Sequence, residues 1–413
     1  MPFHTNTRSR SPSFNSGGTR RRSSSFGGGG GGNRRSGSSR GNRRNNQYID
    51  PARFIKAAKP VTDEVYVSQN RFVDFEVHDK IKQNLGDKGF IDPTPIQDQS
   101  IPAILNGSDL IGIANTGTGK TAAFAIPLIH KLMQDPAGRA LIVAPTRELA
   151  QQIEQECQAI GKGSGIFGAL LIGGTSMGNQ LRDLRHNPNI VIGTPGRIMD
   201  HMKRGTLNLQ NFNYAVLDEV DRMLDMGFVD DVRTILDSLA EDRQSLFFSA
   251  TLDNRVRGLI ETFSKDPVMV SVKTSVASEN VHQDVIRYSH GYDKLDKLHD
   301  LLTREDVLKV ILFDETQRSV EKLSDELIDR GFKADAIHGG KSQGQRERAL
   351  RRFKKSEVDI LVATDVAARG IDVADISHVI NYTQPQSYED YIHRVGRAGR
   401  AGKIGYALTF VNN

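Results

Sequence analysis

No tryptophan and a single cysteine, Cys157, occur among 413 residues. One thiol forms neither an intramolecular disulfide nor a cysteine-rich zinc site; it is expected to sit inertly on a helix, in a reducing, intracellular setting. No apolar run approaches the ~20 residues that a spanning helix needs, and the start, "MPFHTNTRSRSPSF", has no apolar segment of the secretory kind. A soluble, cytoplasmic chain with no membrane partner is expected. Acids are nearly missing from the first fifty residues, where ten arginines stand against Asp50 alone.

That stretch carries +9 of a total of +5, which leaves residues 51–413 at −4. Positive charge is therefore a property of the tail. Residues 1–48 are Arg/Gly/Ser-rich with isolated Phe14, Phe26 and Tyr48, a composition that buries too little apolar surface to offset the entropy of ordering. They are expected to be disordered, as an RNA tether, a docking segment for a protein partner or a plain solubilising linker. A transit peptide shares the Arg- and Ser-rich, acid-poor bias. Six consecutive glycines, Gly27 to Gly32, oppose the amphipathic helix that such a peptide forms.

A length of 413 residues exceeds what one hydrophobic core usually serves and predicts two domains. Short β-rich runs alternate with helical stretches: "DLIGIAN", "ALIVAP", "NIVIGTP", "YAVLDE" and "SLFFSAT", then "KVILFDE", "KADAIHG", "DILVATD", "HVINY" and "YALTFV". This α/β alternation predicts two parallel sheets flanked by helices. The expected limits are a first domain over 49–272, a linker over 273–282 and a second domain over 283–413.

The chemistry begins at "ANTGTGKT", residues 114–121, which follows a strand pattern and enters a helical one. It fits GxxxxGK[ST] except for Ala in the first place. Thr116, Gly117, Thr118 and Gly119 expose backbone N–H groups to phosphate, Lys120 supplies charge, and Thr121 offers a hydroxyl to Mg²⁺. A bound nucleotide then accounts for "LDEVD". Asp218 at a strand end holds the ion or its waters, and Glu219 orients and deprotonates an attacking water. The bland alternative is an acidic strand end that has simply reached solvent.

Further motifs follow in a fixed order: "GFIDPTPIQ", "ANTGTGKT", "PTRELA", Gly173–Gly174, "TPGR", "DEVD", "SAT", "HGGKSQGQR", "ATDVAARGID" and "HRVGRAGR". Any one arises by chance; the ordered set, from Phe72 to the C-terminus, resembles the DEAD-box RNA helicases. The resemblance implies two tandem RecA-like domains and an RNA-dependent ATPase with ATP and Mg²⁺ as cofactors. Gln97 presents an amide donor and acceptor that complement the adenine edge, and the resemblance turns this from a helix-capping glutamine into a selector of ATP over GTP. It also implies that Phe72, seventeen residues before Gly89, stacks on adenine and that Asp372 reaches the ribose.

In "HRVGRAGR", Arg394, Arg397 and Arg400 fall at i, i+3 and i+6, near the start of an expected short helix. By resemblance, Arg397 and Arg400 neutralise transition-state charge on the γ-phosphate, and His393 couples the ATP and RNA sites. Ser249 and Thr251 of "SAT" link Asp221 to domain closure. Arg147, Gly174, Thr194 and Arg197 from the first domain, with Gly339, Gln343, Arg346 and Thr364 from the second, are implied to contact RNA through its backbone and 2′-OH groups, with little base information. The lack of tryptophan and the acidic folded part make RNA binding the less self-evident expectation. A monomer is expected.

A noncatalytic ATP-dependent RNA clamp and a DNA helicase are the alternatives. Intact Lys120, Glu219, Arg397 and Arg400 oppose the first, and the full motif set opposes the second. Departures from the family pattern are Val220 for Ala, Asn115 for a common Gln, and Gly340 where Asp is common. The chain stops at "ALTFVNN", so no C-terminal specificity module is expected.

Overall fold

The computed structural model describes residues 49–58, 66–115, 117–272, 280–368, 373, 375–399 and 404–413. The tail 1–48 and residues 273–279 of the expected linker lie outside them. All ten apolar runs named above become strands. In the first lobe these are β1 (Leu110–Ile113), β2 (Ala140–Val143), β4 (Ile190–Gly193), β5 (Tyr214–Asp218) and β6 (Gln244–Ser249), joined by β3 (Gly168–Leu171) and β7 (Val268–Ser271). The second lobe has β8 (Val281–Tyr288), β9 (Val310–Phe313), β10 (Ala334–Ile337), β11 (Ile360–Ala363), β12 (His378–Asn381) and β13 (Gly405–Asn412). Strand β8 starts inside the expected linker.

Among the described residues the first sheet runs β3-β4-β2-β5-β6-β1-β7 and the second β10-β11-β9-β12-β13-β8, with parallel neighbours throughout. Parallel strands joined through helices are covered on both faces, which is why they read as continuous apolar runs rather than alternating ones. Side chains still alternate between faces. Leu110, Ile142 and Phe248 enter one core, while Ile111, Leu141 and Phe247 enter the other. In the second lobe Val310 and Leu312 face one core, and Ile311 and Phe313 the opposite one.

The strand order positions the site. Strands β5, β6 and β1 are consecutive neighbours, so their C-terminal ends carry "LDEVD", "SAT" and "ANTGTGKT" side by side. Clefts at such carboxyl ends are where open α/β sheets bind ligands.

One stretch lies elsewhere than the 49–272 boundary predicts. Ile49 and Phe54 are buried in the second lobe's core with Tyr391 and Val281, and Lys56 forms an antiparallel bridge with Gln283 of β8. The local cause is plain. Asp50 accepts a hydrogen bond from Ala52 N at 2.9 Å, Pro51 opens a single 3-10 turn, and the turn swings Phe54 inward.

Candidate functional site

After Ile113 the chain leaves β1, turns through Gly117 (φ 88°) and Gly119 (φ 90°), and enters the helix Lys120–Gln134. Left-handed backbone favours glycine, and a Cβ at Gly119 would also run into the Gln97 amide. The helix start presents unpaired N–H groups to an anion. Lys120 is buried, and its ammonium donates to the Ala114 carbonyl at 3.0 Å, which holds the charge over the loop.

Asp218 ends β5, and its carboxylate accepts from Glu219 N at 2.9 Å. Burial pushes the Asp218 carboxyl up to about 6; neighbouring Lys120 and Arg222 hold it down, and Glu219 adds to the rise. Glu219 itself sits in left-handed backbone at φ 54°. That is a costly conformation for a non-glycine residue, of the sort that concentrates at functional sites. The Arg222 guanidinium donates to the Glu219 carboxylate, and both side chains are buried. Asp221 accepts from Thr251 N at 2.9 Å, Thr251 Oγ1 at 3.0 Å and Ala250 N at 3.2 Å, while Ser249 Oγ accepts from Asp221 N at 3.3 Å. "SAT" and "DEVD" are thus joined directly.

Gly117, Gly119, Lys120, Thr121, Asp218 and Glu219 line one cleft of about 370 Å³, with Gln97, Phe90 and Lys354 on its walls. The donor set fits Mg²⁺. Among the described residues no three His, Cys, Asp or Glu side chains are grouped so as to hold a metal ion by themselves; Thr121 and Asp218 share the cleft instead. Magnesium is commonly held by one or two carboxylates while phosphates and waters supply its remaining ligands.

Gln97 is both the helix cap and the cleft residue that the sequence set against each other. Its Oε1 accepts from Thr94 N at 2.9 Å and its Nε2 donates to Gly119 O at 3.1 Å, while Thr94 Oγ1 donates to Thr118 O at 2.8 Å. A primary amide carries two N–H groups and two lone pairs, so one of each is left to read a base. Phe72 is buried and stacks at 5.7 Å on Phe90. Phe90, inside the quoted "GFIDPTPIQ", is the aromatic on the cleft wall.

A second groove, of about 600 Å³, brings together Arg147, Thr194 and Arg197 from the first lobe with Gly339 and Arg346 from the second. Gly174 (φ 80°) lies against Arg147, whose guanidinium a Cβ there would strike. Gln343 Nε2 donates to Gln151 Oε1 at 3.1 Å. Arg346 forms a 2.8 Å ion pair with Glu148 across the lobes. Burial raises the Glu148 carboxyl and Arg346 opposes the rise. Thr364 is buried at the end of β11 and does not line the groove.

The arginine motif lies at the end of its helix, Tyr388–Val395, not near the start, because Gly396 stops the helix just before Arg397. Arg394 is structural: it clamps Asp365 at 2.5 and 2.7 Å and donates to Thr383 O at 2.7 Å. Arg397 is buried in the second lobe, with its Nε donating to His393 O at 3.3 Å. His393, Arg394 and Arg397 face one small recess and do not line the cleft around Lys120. Thr116, Asp372 and Arg400 lie outside the described residues.

Two family models match this chain, DEAD/DEAH box helicase over residues 94–259 and helicase conserved C-terminal domain over 293–402. The chain is 45% identical over 342 residues, 83% of its length, to the ATP-dependent RNA helicase CshA of Listeria monocytogenes. It is 43% identical over 344 residues, 82% of its length, to the DEAD-box ATP-dependent RNA helicase CshA of Bacillus subtilis. The chain belongs to the DEAD-box family of ATP-dependent RNA helicases. The matches span 66% and 69% of those two relatives' lengths. Among solved structures it resembles S. cerevisiae Dbp5 bound to RNA and ADP BeF3, with a TM-score of 0.73, 29% identity, and 83% and 89% of the two chains covered. The two sheets of the helicase are therefore tandem RecA-like domains. No helix among the described residues is long and apolar enough to cross a membrane.

Four contributors to the helicase's clefts escape the sequence reading. Phe90 and Glu148 stand inside quoted motifs, and Arg222 is one turn from Glu219, so spacing alone flags them. Lys354 reaches the Lys120 cleft from the other lobe and has no signal in the sequence. Val220, the departure from the family's Ala, lies beyond the strand. The strand stops at Asp218, and Val220 opens the short helix Val220–Asp225, fully buried in a core with Ile198 and Met223. Val220→Ala is expected to cost about 1–3 kcal/mol of stability through the vacated volume, read by thermal melting. RNA-stimulated kcat should stay within about threefold, roughly 0.65 kcal/mol of barrier; a tenfold rise would make the valine a brake on turnover.

Proposed function

We propose that this helicase couples RNA-stimulated ATP hydrolysis to closure of its two lobes, separating short duplexes or remodelling RNA–protein complexes locally. The observation that carries the reading is the 600 Å³ groove, to which each lobe contributes backbone-recognising groups. A strand laid along it bridges the lobes. ATP bridges them as well, with Lys120, Asp218 and Glu219 on one side and Arg397 and Arg400 on the other. Two ligands that each favour the closed form raise one another's affinity by equal factors.

In this reading Gln97 recognises adenine, with Phe72 and Phe90 as its aromatic support and Asp372 on the ribose. Thr116 to Thr121 hold the phosphates, Glu219 takes the proton of the attacking water, and Arg397 and Arg400 neutralise charge developing on the γ-phosphate. Mg²⁺, held by Thr121 and Asp218 with the phosphates, would supply electrostatic neutralisation. Asp221, Ser249, Thr251 and His393 carry the change between sites. A phosphate of the RNA takes the place of Glu148 on Arg346, and Arg147, Gly174, Thr194, Arg197, Gly339, Gln343 and Thr364 complete the track. The chain acts as a cytoplasmic monomer, with domain limits near 272 and 283, and its Arg-rich tail tethers RNA or a protein partner.

The discriminating measurement is steady-state ATPase activity with single-stranded RNA, single-stranded DNA or no nucleic acid, for ATP and GTP. RNA should stimulate far more than DNA, and kcat/KM should favour ATP strongly. Equal stimulation by DNA would support the DNA-helicase reading, and equal values for the two nucleotides would remove the role given to Gln97. Absence of turnover despite RNA and ATP binding would favour the clamp.

A further inference from the structure

The turn that swings Phe54 into the second lobe meets the helix Tyr388–Val395, which ends two residues before Arg397. Phe54 is fully buried, with its ring 4.7 Å from that of Tyr391, and the Arg53 guanidinium lies 3.8 Å over the Tyr388 ring. Lys56 and Gln283 exchange backbone hydrogen bonds at 2.9 and 2.8 Å, and Gln283 Oε1 accepts from Tyr391 Oη at 2.8 Å. Ile49 and Phe54 share a core with Tyr391, Val395 and Ala398. Those last two residues flank Arg397 closely in sequence, so the segment 49–56 forms part of the bed on which the finger rests.

A few residues later the same chain is fastened to the other side of the nucleotide site. Tyr66 Oη and Gln69 N each donate to Asp98 Oδ2 at 2.7 Å, and Asn70 Nδ2 donates to Asp98 Oδ1 at 2.8 Å. These bonds hold the Asp98 carboxyl below its ordinary range despite some burial. Asp98 adjoins Gln97 on the helix Pro95–Leu105. One stretch of chain therefore grips the helix that leads to Arg397 at one end and the Gln97 helix at the other. It is a second covalent connection between the lobes besides the 273–282 segment. From Ala58 to Tyr66 it has eight residue steps, a reach of at most about 28 Å when fully extended.

We propose that residues 49–56 are a positioning element for catalysis: Phe54 and Arg53 set the seat of the Tyr388–Val395 helix and so the placement of Arg397 at the γ-phosphate. Phe54 and Arg53 touch no nucleotide and act through Tyr391 and Tyr388. The inference rests on the reading of Arg397 as a finger. It predicts that loosening the seat slows turnover while leaving ATP and RNA capture, which depend on groups elsewhere, nearly intact.

The test compares full-length wild type, Phe54→Ala, Phe54→Leu and Arg53→Gln for RNA-stimulated kcat, KM for ATP, RNA affinity and melting temperature. Phe54→Ala is expected to lower kcat about tenfold with KM and RNA affinity within twofold. Phe54→Leu should recover most of the loss, and Arg53→Gln should lower kcat by twofold to threefold. A uniform loss of RNA affinity and kcat with a collapsed melting temperature in Phe54→Ala would be unfolding. Surface-exposed Arg53→Gln then decides, and unchanged kcat in it overturns the proposal. Wild-type kcat in a folded Phe54→Ala overturns it outright. A wild type that lacks RNA-stimulated turnover would instead overturn the finger reading beneath it.

Discussion

Glu219→Gln should bind ATP and RNA but lose RNA-stimulated hydrolysis by about 10²–10⁴-fold, the usual contribution of a general base. The carboxylate lines the cleft beside Lys120 and Asp218, and an amide of the same shape cannot accept the proton of the attacking water. The buried Arg222 guanidinium pairs with Glu219, so the amide also takes the charge from its direct partner, at a cost of about 1–3 kcal/mol. Melting temperature should therefore fall modestly while nucleotide affinity holds. Lys120→Ala gives the contrasting pattern, with weaker nucleotide binding as well as lost turnover, because its ammonium stands over the phosphate loop. Equilibrium binding of a fluorescent nucleotide and single-turnover hydrolysis separate the two variants. Wild-type-like turnover in Glu219→Gln would remove the base assignment.

Arg397→Ala should reduce RNA-stimulated kcat by about 10³-fold or more, the scale of an arginine finger, with ATP affinity little changed. Arg397 is buried in the second lobe, near His393 and away from the nucleotide cleft. Its effect is therefore expected in the closed, RNA-bound state and not in the basal rate without RNA. Arg397→Lys keeps the charge but loses the planar fork that matches phosphate oxygens, so it should recover only part of the activity. Equal loss of basal and RNA-stimulated rates in both variants would point to a folding role. Comparing the two rates, with a melting curve for each protein, makes the distinction.

Much of the molecule was legible in its residues. The ten apolar runs became ten strands because a parallel strand covered on both faces needs nothing but contiguous apolar side chains. The phosphate loop was equally plain. Glycines at Gly117 and Gly119 satisfy left-handed backbone, and the helix that begins at Lys120 follows from local pattern. For residues that no local rule assigns, such as Gln97 and Arg397, the proposed roles come from the family's ordered motifs.

Other features depend on which strands become neighbours, and periodicity carries no record of that. The order β5-β6-β1 sets Asp221 against Thr251, thirty positions along the chain. Only the packed structure shows Arg346 turned onto Glu148, since an ion pair across lobes has no sequence spacing to betray it. Strand β5 gives way to a helix at Val220 because the chain turns at Glu219 through a conformation that propensities disfavour in a non-glycine residue. The same holds for the segment at Phe54. Its composition says only that an aromatic residue will be buried; which lobe buries it was decided by the complementary ring of Tyr391 and the free edge of β8.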